Sequence, residues 1–437
     1  MAQTPKLTRA EKAGLRHAGF SSMALGAKDG IRTSPVWSQA ADAQDQTSER
    51  ILVIVELSGG NDGLNTVIPY ADDAYYPARP NIGIRDDRLI AIDDHFGFQK
   101  TMAGFEQLFK NGKMAIVHGV GYDQPSFSHF SSMAFWQTGA PNGGEALGWL
   151  GRVADAIDPL GHRRNLLVNI NDQQSLAVRA ENHVPLVFNN PETFTLGSFH
   201  KQSDLINELF APDQTGANPM QDFLFDIASS AAKSEQLVRE AWNSYKTPVN
   251  YGMIRFGLER VAALVAADFP TRLYYVPYRN NVFDTHVYQT DMHARLWSYT
   301  SDHIAAFVED MERLGRGDDV VVMVFSEFGR RVAENTSLGT DHGTAGPAFI
   351  IGNAVNGGHY GASPSLTDLD DGNLRYTTDY RRLYATLIQG WMGYDHPETI
   401  LKGKFDLLPI FQGPRDLRIF QAKHHPHADQ NHRPNRR

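Results

Sequence analysis

The chain has 437 residues, 41% of them hydrophobic and 21% charged, with a formal net charge of -9 and no cysteine. Those figures fit one large α/β domain or two ordinary ones, and they exclude disulfides, thiolate nucleophiles and cysteine-based zinc sites. With no basic block before the last few residues the charge gives no footing for nucleic-acid binding, and no stretch reaches the roughly twenty apolar residues of an integral membrane helix.

Residues 1–50 differ from the rest. Arg9, Lys12 and Arg16 precede a short, weakly apolar stretch at 18–27 and a polar segment with small residues near Ala40 and Ala43. The layout is that of an export leader without a twin arginine, and equally that of a surface extension. Both readings stay open, and with them a periplasmic or exported location and a cytoplasmic one.

The folded part begins at Ile51. Its continuous apolar run with β-branched residues suits a strand buried on both faces, stopped by the turn Ser58-Gly59-Gly60-Asn61-Asp62-Gly63. A helix at 102–109, a strand at 114–118, a loop at 119–125 and a helix at 128–137 repeat the unit. Alternation of this kind predicts an α/β fold with a doubly wound, mostly parallel sheet flanked by helices.

A strand at 165–170 follows, then an irregular polar stretch at 181–218 and helices at 220–245 and 251–267. Together 181–267 reads as a helical insertion that caps one edge of the site. The α/β pattern returns with a strand at 272–276, a helix at 291–314, strands at 320–325 and 347–351, and an amphipathic helix at 379–392. Residues 421–437, with His424, His425, His427 and His432, read as a mobile tail, which leaves 51–420 as the domain.

In an open α/β sheet ligands bind beyond the carboxyl ends of the strands. Asp62 follows the first strand, Ser128 and His129 follow the loop after Val117, Asp284 and His286 follow Val276, and Glu327 follows six apolar residues and Ser326. Asp341 and His342 come soon after. Buried carboxylates and imidazoles persist when paired or metal-bound, so the clusters predict an oxygen- and nitrogen-rich metal site.

Each cluster also has a plain structural reading. Gly59 to Gly63 suits a tight turn, Asp284-Thr285-His286 an Asx-type turn, and Ser128 a helix cap. Glu327 could form an ion pair with Arg330. His118, His162, His183, His200 and His303 have no usable partner spacing, and Glu56 inside the first strand is unexplained.

The blocks Gly59-Gly60-Asn61-Asp62-Gly63-Leu64-Asn65, Ser128-His129-Phe130, Phe283-Asp284-Thr285-His286, Ser326-Glu327-Phe328-Gly329-Arg330 and Asp341-His342-Gly343 occur in this order. From about Ile51 to Phe411 the chain thereby resembles the bacterial family called domain of unknown function 1501 (DUF1501), placed in the alkaline phosphatase-like superfamily with phosphatases, sulfatases and phosphomutases. The resemblance implies an alkaline phosphatase-like fold and metal-dependent hydrolysis of a small anionic phosphate or sulfate ester. One or two divalent ions (zinc, manganese, magnesium or calcium) sit at the strand ends, and a metal-bound hydroxyl attacks phosphorus or sulfur.

Carried onto this chain, the resemblance makes Asp284, His286 and His342 ligands of one ion and joins Glu327 to Asp62 at a second, with Asp341 a further ligand candidate. Ser128 becomes the nucleophile candidate, with Ser126 and Ser131 nearby, His129 a catalytic neighbour, and Arg330 the group that neutralises the substrate oxyanion. The chain departs from the superfamily pattern in two places. Ser326-Glu327 stands where an Asp-His pair is usual, and one residue separates Asp284 from His286 where wider spacing is common. No Cys/Ser-x-Pro-x-Arg sequence surrounds Ser128, which disfavours formylglycine sulfatase chemistry, and no Gly-x-Ser-x-Gly elbow is present. Two alternatives remain: a non-catalytic binding or assembly protein that keeps the fold, and a metal-independent serine hydrolase.

Overall fold

The apolar run that opens the folded part is a strand, Ile51–Leu57, buried along its whole length at the centre of the sheet. The computed structural model describes residues 50–194, 233–254, 256–278 and 280–411. The N-terminal segment, the tail beyond 411 and most of the helix expected at 220–245 lie outside the described residues, although 233–244 is helical.

We number the strands of the main sheet in chain order: β1 Ile51–Leu57, β2 Met114–Gly121, β3 Leu167–Ile170, β4 Leu186–Phe188, β5 Leu273–Tyr278, β6 Val320–Phe325, β7 Gly346–Ile351, β8 Gly358–Tyr360 and β9 Thr378–Asp379. They form one nine-stranded sheet in the order β8-β2-β7-β6-β1-β5-β3-β4, with β9 also paired to β2. Strand β1 is parallel to both neighbours, with Glu56 level with Pro277 of β5 and Phe325 of β6. Only β7 runs antiparallel to its partners β6 and β2. It follows β6 through a loop with no helical crossover, so the chain returns in the opposite direction.

Burial along β1 alternates between the two faces, as strand geometry requires. Ile51, Val53, Val55 and Leu57 enter one apolar cluster with Phe105, Trp297 and Phe307. Leu52 and Ile54 enter another with Trp136, Trp149 and Tyr384 on the opposite side. Each fully buried aliphatic side chain stabilises the fold by about 1.5–3 kcal/mol, and helices on both faces supply the cover. The long helix Gln289–Arg313 presents His293, Trp297, Thr300, Ile304, Phe307 and Met311 inward, a three-and-four spacing that makes one face.

The structure refines several sequence expectations. The helix expected at 251–267 begins only at Leu258, because Gly257 takes φ +112° and breaks the backbone path. The closing helix is α-helical over Tyr380–Ala385 and then widens to a π-turn over Thr386–Trp391. Within the expected insertion, β4 pairs with β3 at the sheet edge and helix Leu258–Ala266 packs into the first core. The helix Trp149–Ile157 and the short strands β4, β8 and β9 had no distinct sequence signal.

Candidate metal centre

Because β1, β5 and β6 are parallel, their carboxyl ends lie together, and the residues just beyond them meet. Glu327, two residues past β6 and fully buried, is held by the glycine turn that follows β1. Its Oε1 accepts the Gly59 N–H at 2.8 Å and its Oε2 the Gly60 N–H at 3.0 Å, while the Ser326 hydroxyl lies 2.9 Å from Oε2. Gly59 and Gly60 have φ of +123° and +70°, and a Cβ on Gly59 would stand 2.4 Å from the Asp284 nitrogen. The glycines are thus required twice, for backbone sign and for the close approach to the loop after β5.

That loop delivers Asp284, the hub of the site. Its Oδ1 lies 2.7 Å from Arg330 Nη2, 2.8 Å from His286 Nε2 and 3.2 Å from His342 Nε2. Burial works to raise the carboxyl pKa, but the Arg330 hydrogen bond and charge and the adjacent His342 and His286 imidazoles outweigh it and hold Asp284 at about 2. Arg330 is itself buried and also donates to the carbonyls of Gly59, Gly60, Phe283 and Thr340. Its guanidinium pairs with Asp284 rather than Glu327, and its donors are spent on the frame instead of pointing at a substrate oxyanion.

Three imidazoles surround this carboxylate. His129 opens the helix His129–Thr138; its Nδ1 is 2.8 Å from Glu327 Oε1 and its Nε2 is 3.4 Å from Asp284 Oδ2. That Nε2 is buried and has no hydrogen-bond partner. His342 Nδ1 lies 2.8 Å from the Phe127 carbonyl oxygen, and its Nε2 is 3.1 Å from His286 Nε2. His286 Nδ1 faces Asp341 Oδ1 at 3.6 Å. The Phe328 ring packs against His129 and His342, with centroids 4.9 and 4.6 Å away.

Hydrogen-bond chemistry assigns the tautomers. A carboxylate and a carbonyl only accept, so His129 and His342 carry their protons on Nδ1 and turn an Nε2 lone pair inward. Arg330 Nη1 only donates, and at 3.4 Å from His286 Nε2 it makes that nitrogen an acceptor too. Inward-facing acceptors from His129, His342 and Asp284 therefore converge, Arg330 donates to Asp284 Oδ1 and approaches His286 Nε2, and the lone pairs left over are ones a cation would satisfy. His129, Asp284 and His342 each bring a ligand atom within 4.8 Å of the others. The Glu327 and Phe127 contacts are the outer bonds that orient metal-ligating imidazoles.

The protonation tendencies follow. The Glu327 hydrogen bond raises the His129 pKa, opposed in part by burial and reinforced by the Glu327 and Asp284 charges. Burial lowers that of His342, aided by the Arg330 and His129 charges and opposed by the Phe127 carbonyl and the Asp284 carboxylate. A neutral His342 is what a ligand requires.

The remaining expected residues fall around this centre. Asp62 does not join the cluster: its Oδ2 is 2.6 Å from Arg79 Nη1, with both side chains fully buried, and it also accepts from the Gln289 amide. Burial works to raise its pKa, but the Arg79 charge and hydrogen bond outweigh that and lower it. Glu327 and Asp62 therefore do not share a site, since the oxygens of Glu327 are taken by Gly59, Gly60, Ser326 and His129. Asp341 stands behind His286. Ser128 is exposed at the N-cap of its helix and makes no side-chain capping bond, Ser126 and Ser131 are half-buried, and Ser132 is buried against Tyr122 and the Glu327 carbonyl.

Sequence reasoning missed Arg79, Gln289 and the Phe127 carbonyl, none of which carries a motif or a local spacing. Of the isolated histidines, His183 bridges Asp155 and Asp158, His303 meets Glu259 and His118 meets His359. Glu56 is bound by Tyr275, Gln137 and Ser58, though burial still raises its pKa.

A mostly parallel α/β sheet with an Asp/His cluster at its strand ends is the class of protein these features define. The chain belongs to the family described as Protein of unknown function (DUF1501), whose model matches residues 49–404. No curated protein matches it. Among solved structures it is similar to the PsFucS1 sulfatase from Pseudoalteromonas sp., at 11% identity and TM-score 0.36, covering 83% of this chain and 72% of that one. It is also similar to a protein in the alkaline phosphatase superfamily from Vibrio parahaemolyticus, at 11% identity and TM-score 0.33, covering 73% and 63%. A third, the phosphonate monoester hydrolase SpPMH from Silicibacter pomeroyi, has 12% identity and TM-score 0.32, covering 80% and 73%.

Proposed function

We propose that this protein is a metal-dependent hydrolase of small phosphate or sulfate esters, with His129, Asp284, His286 and His342 as the ion's ligands and Ser128 as nucleophile. The observation that carries the metal reading is the approach of His129, Asp284 and His342 ligand atoms to within 4.8 Å of one another, with Nδ1 of both imidazoles backed by an acceptor and His286 Nε2 2.8 Å from Asp284 Oδ1. Three nitrogens and one carboxylate oxygen suit zinc or another borderline divalent ion better than calcium or magnesium. A divalent ion held there would supply Lewis-acid polarisation of the ester and activate an oxygen nucleophile at neutral pH. The ester class rests on the family resemblance.

The chain's own groups have separable tasks. Glu327 fixes the His129 ring and bonds the glycine turn; Arg330 fixes Asp284, in place of the oxyanion role expected from sequence. Ser128 presents an exposed hydroxyl at the start of a ten-residue helix, where unpaired N–H groups favour an anion. Its oxygen forms the bond to phosphorus or sulfur as the alcohol departs with a proton, and water then cleaves the new ester to restore serine.

The test is stoichiometric metal analysis together with aryl phosphate and aryl sulfate assays in zinc, manganese, magnesium or calcium. Hydrolysis that is lost on chelation, restored by one ion and absent in Ser128→Ala supports the reading. Activity that survives complete metal removal sinks it in favour of a metal-independent serine hydrolase. Absence of both bound metal and activity favours the non-catalytic alternative.

A further inference from the structure

We infer that the site takes one divalent ion and that Arg79 supplies a built-in positive charge where Asp62 would otherwise call for a second. The inference rests on the metal reading above and deepens it. Its basis is the kind of atom that surrounds Asp62. Arg79 Nη1 lies 2.6 Å from Oδ2, and the same guanidinium donates to Asn65 Oδ1 at 2.8 Å, the Val332 carbonyl at 2.8 Å and the Arg331 carbonyl at 2.9 Å. The arginine is thereby pinned by four acceptors and cannot swing away without stranding them.

Gln289 completes the donor shell. Its Oε1 accepts the Thr340 hydroxyl at 2.6 Å and the Thr285 hydroxyl at 3.2 Å, so its NH2 faces Asp62 Oδ2. The neighbouring Asn61 Oδ1 is likewise taken, by His293 Nε2 at 3.0 Å and Trp297 Nε1 at 2.9 Å. His293 turns its other nitrogen to Gln99. Among the described residues Asp62 Oδ1 has no hydrogen-bond partner, and no imidazole or second carboxylate joins Asp62 in a group of three or more ligand atoms. Asp62 thus meets donors where an ion would need further acceptors.

Electrostatics points the same way. Arg79 and Asp62 are both fully buried, and a guanidinium does not deprotonate in proteins. A divalent ion bonded to Asp62 at about 2.0–2.6 Å would sit beside that charge in a fully buried setting, whereas the Asp284 side chain, which also meets an arginine, is 30% exposed and open to solvent screening. The pair is electrically complete, and Asp62 becomes a positioning residue for the turn at 61–66 through Arg79 and Gln289.

The experiment is equilibrium dialysis of the full chain against zinc, with metal counted per chain, and manganese loading read by electron paramagnetic resonance. The expected result is one ion per chain, an isolated-manganese spectrum without dipolar coupling, and an Asp62→Asn variant that keeps its ion within about threefold of wild-type affinity. Because Asp62→Asn could fail to fold, the wild-type count and spectrum decide on their own. Two ions per chain, or a coupled spectrum, overturns the one-ion inference and leaves the metal reading standing. A folded Asp62→Asn that loses its ion overturns it as well. No stoichiometric ion at all overturns the metal reading, and the inference falls with it.

Discussion

Glu327 Oε1 stands 2.8 Å from His129 Nδ1 and also 2.8 Å from the Gly59 nitrogen, so one buried carboxylate oxygen fixes both a candidate ligand and the turn beneath Asp284. Glu327→Gln places an amide among these donors, and one of its two ends must face a donor with a donor. The expected cost is about 1–3 kcal/mol of stability, from a buried group left unpaired. Zinc affinity should fall by roughly 10–100-fold, the usual effect of losing an outer-shell partner. Urea unfolding and zinc titration against a competing chelator measure the two; unchanged zinc affinity would remove Glu327 from the site.

Arg330→Met leaves Asp284 and several carbonyls without their donor. A loss of about 3–5 kcal/mol is expected, as for other broken buried pairs. Arg330→Lys should rescue little of it, because an ammonium cannot reproduce the planar fork. A substrate-binding arginine would behave differently, raising KM while the unfolding midpoint stayed put. Chemical denaturation beside steady-state kinetics separates the two roles.

Ser128→Ala tests the nucleophile with little structural penalty. Since the Ser128 hydroxyl makes no capping bond, the substitution should cost less than the usual ~1 kcal/mol of a lost N-cap. Ester hydrolysis should vanish while metal content is unchanged. Retained hydrolysis in Ser128→Ala, with loss in Ser126→Ala or Ser131→Ala, would move the assignment along the loop.

Away from the site, His183 lies 2.9 Å from Asp155 Oδ1 and 3.0 Å from Asp158 Oδ2. Burial works to lower the His183 pKa, but its two aspartate bonds prevail and raise it above the ordinary 6.5. That contribution to stability is full below 6.5 and is lost as pH rises through the folded value. Both aspartates are lowered from 3.8, where the His183 bond and backbone N–H donors outweigh burial, so their contribution is lost as pH falls through their folded values. The clamp is therefore strongest between those ordinary values. The stability gap between wild type and His183→Gln should be largest there and shrink as pH rises through the folded His183 value; a gap constant with pH would contradict the ion-pair account.

Much of the fold was legible in the sequence because strands buried on both faces are continuous apolar runs, and β1, β6 and β7 needed nothing more. Edge strands such as Gly358–Tyr360 and Thr378–Asp379 are too short to hold a period, so pairing with β2 creates them. The site was half legible. A carboxylate two residues past six apolar ones had to be compensated, which singled out Glu327, but the compensating groups include Gly59, Gly60 and His129, far away in the chain. Arg79 was invisible for the same reason: its partner Asp62 and its carbonyl acceptors come from separate turns that only the fold brings together.

Anomalous diffraction at the zinc edge, from a crystal of the full chain grown with zinc, tests the central claim most directly. The account predicts a single peak bonded to His129 Nε2, His286 Nε2, His342 Nε2 and Asp284, with nitrogen contacts of about 2.0–2.1 Å. A peak bonded to Asp62 or Glu327, or no peak among the three histidines, would contradict it.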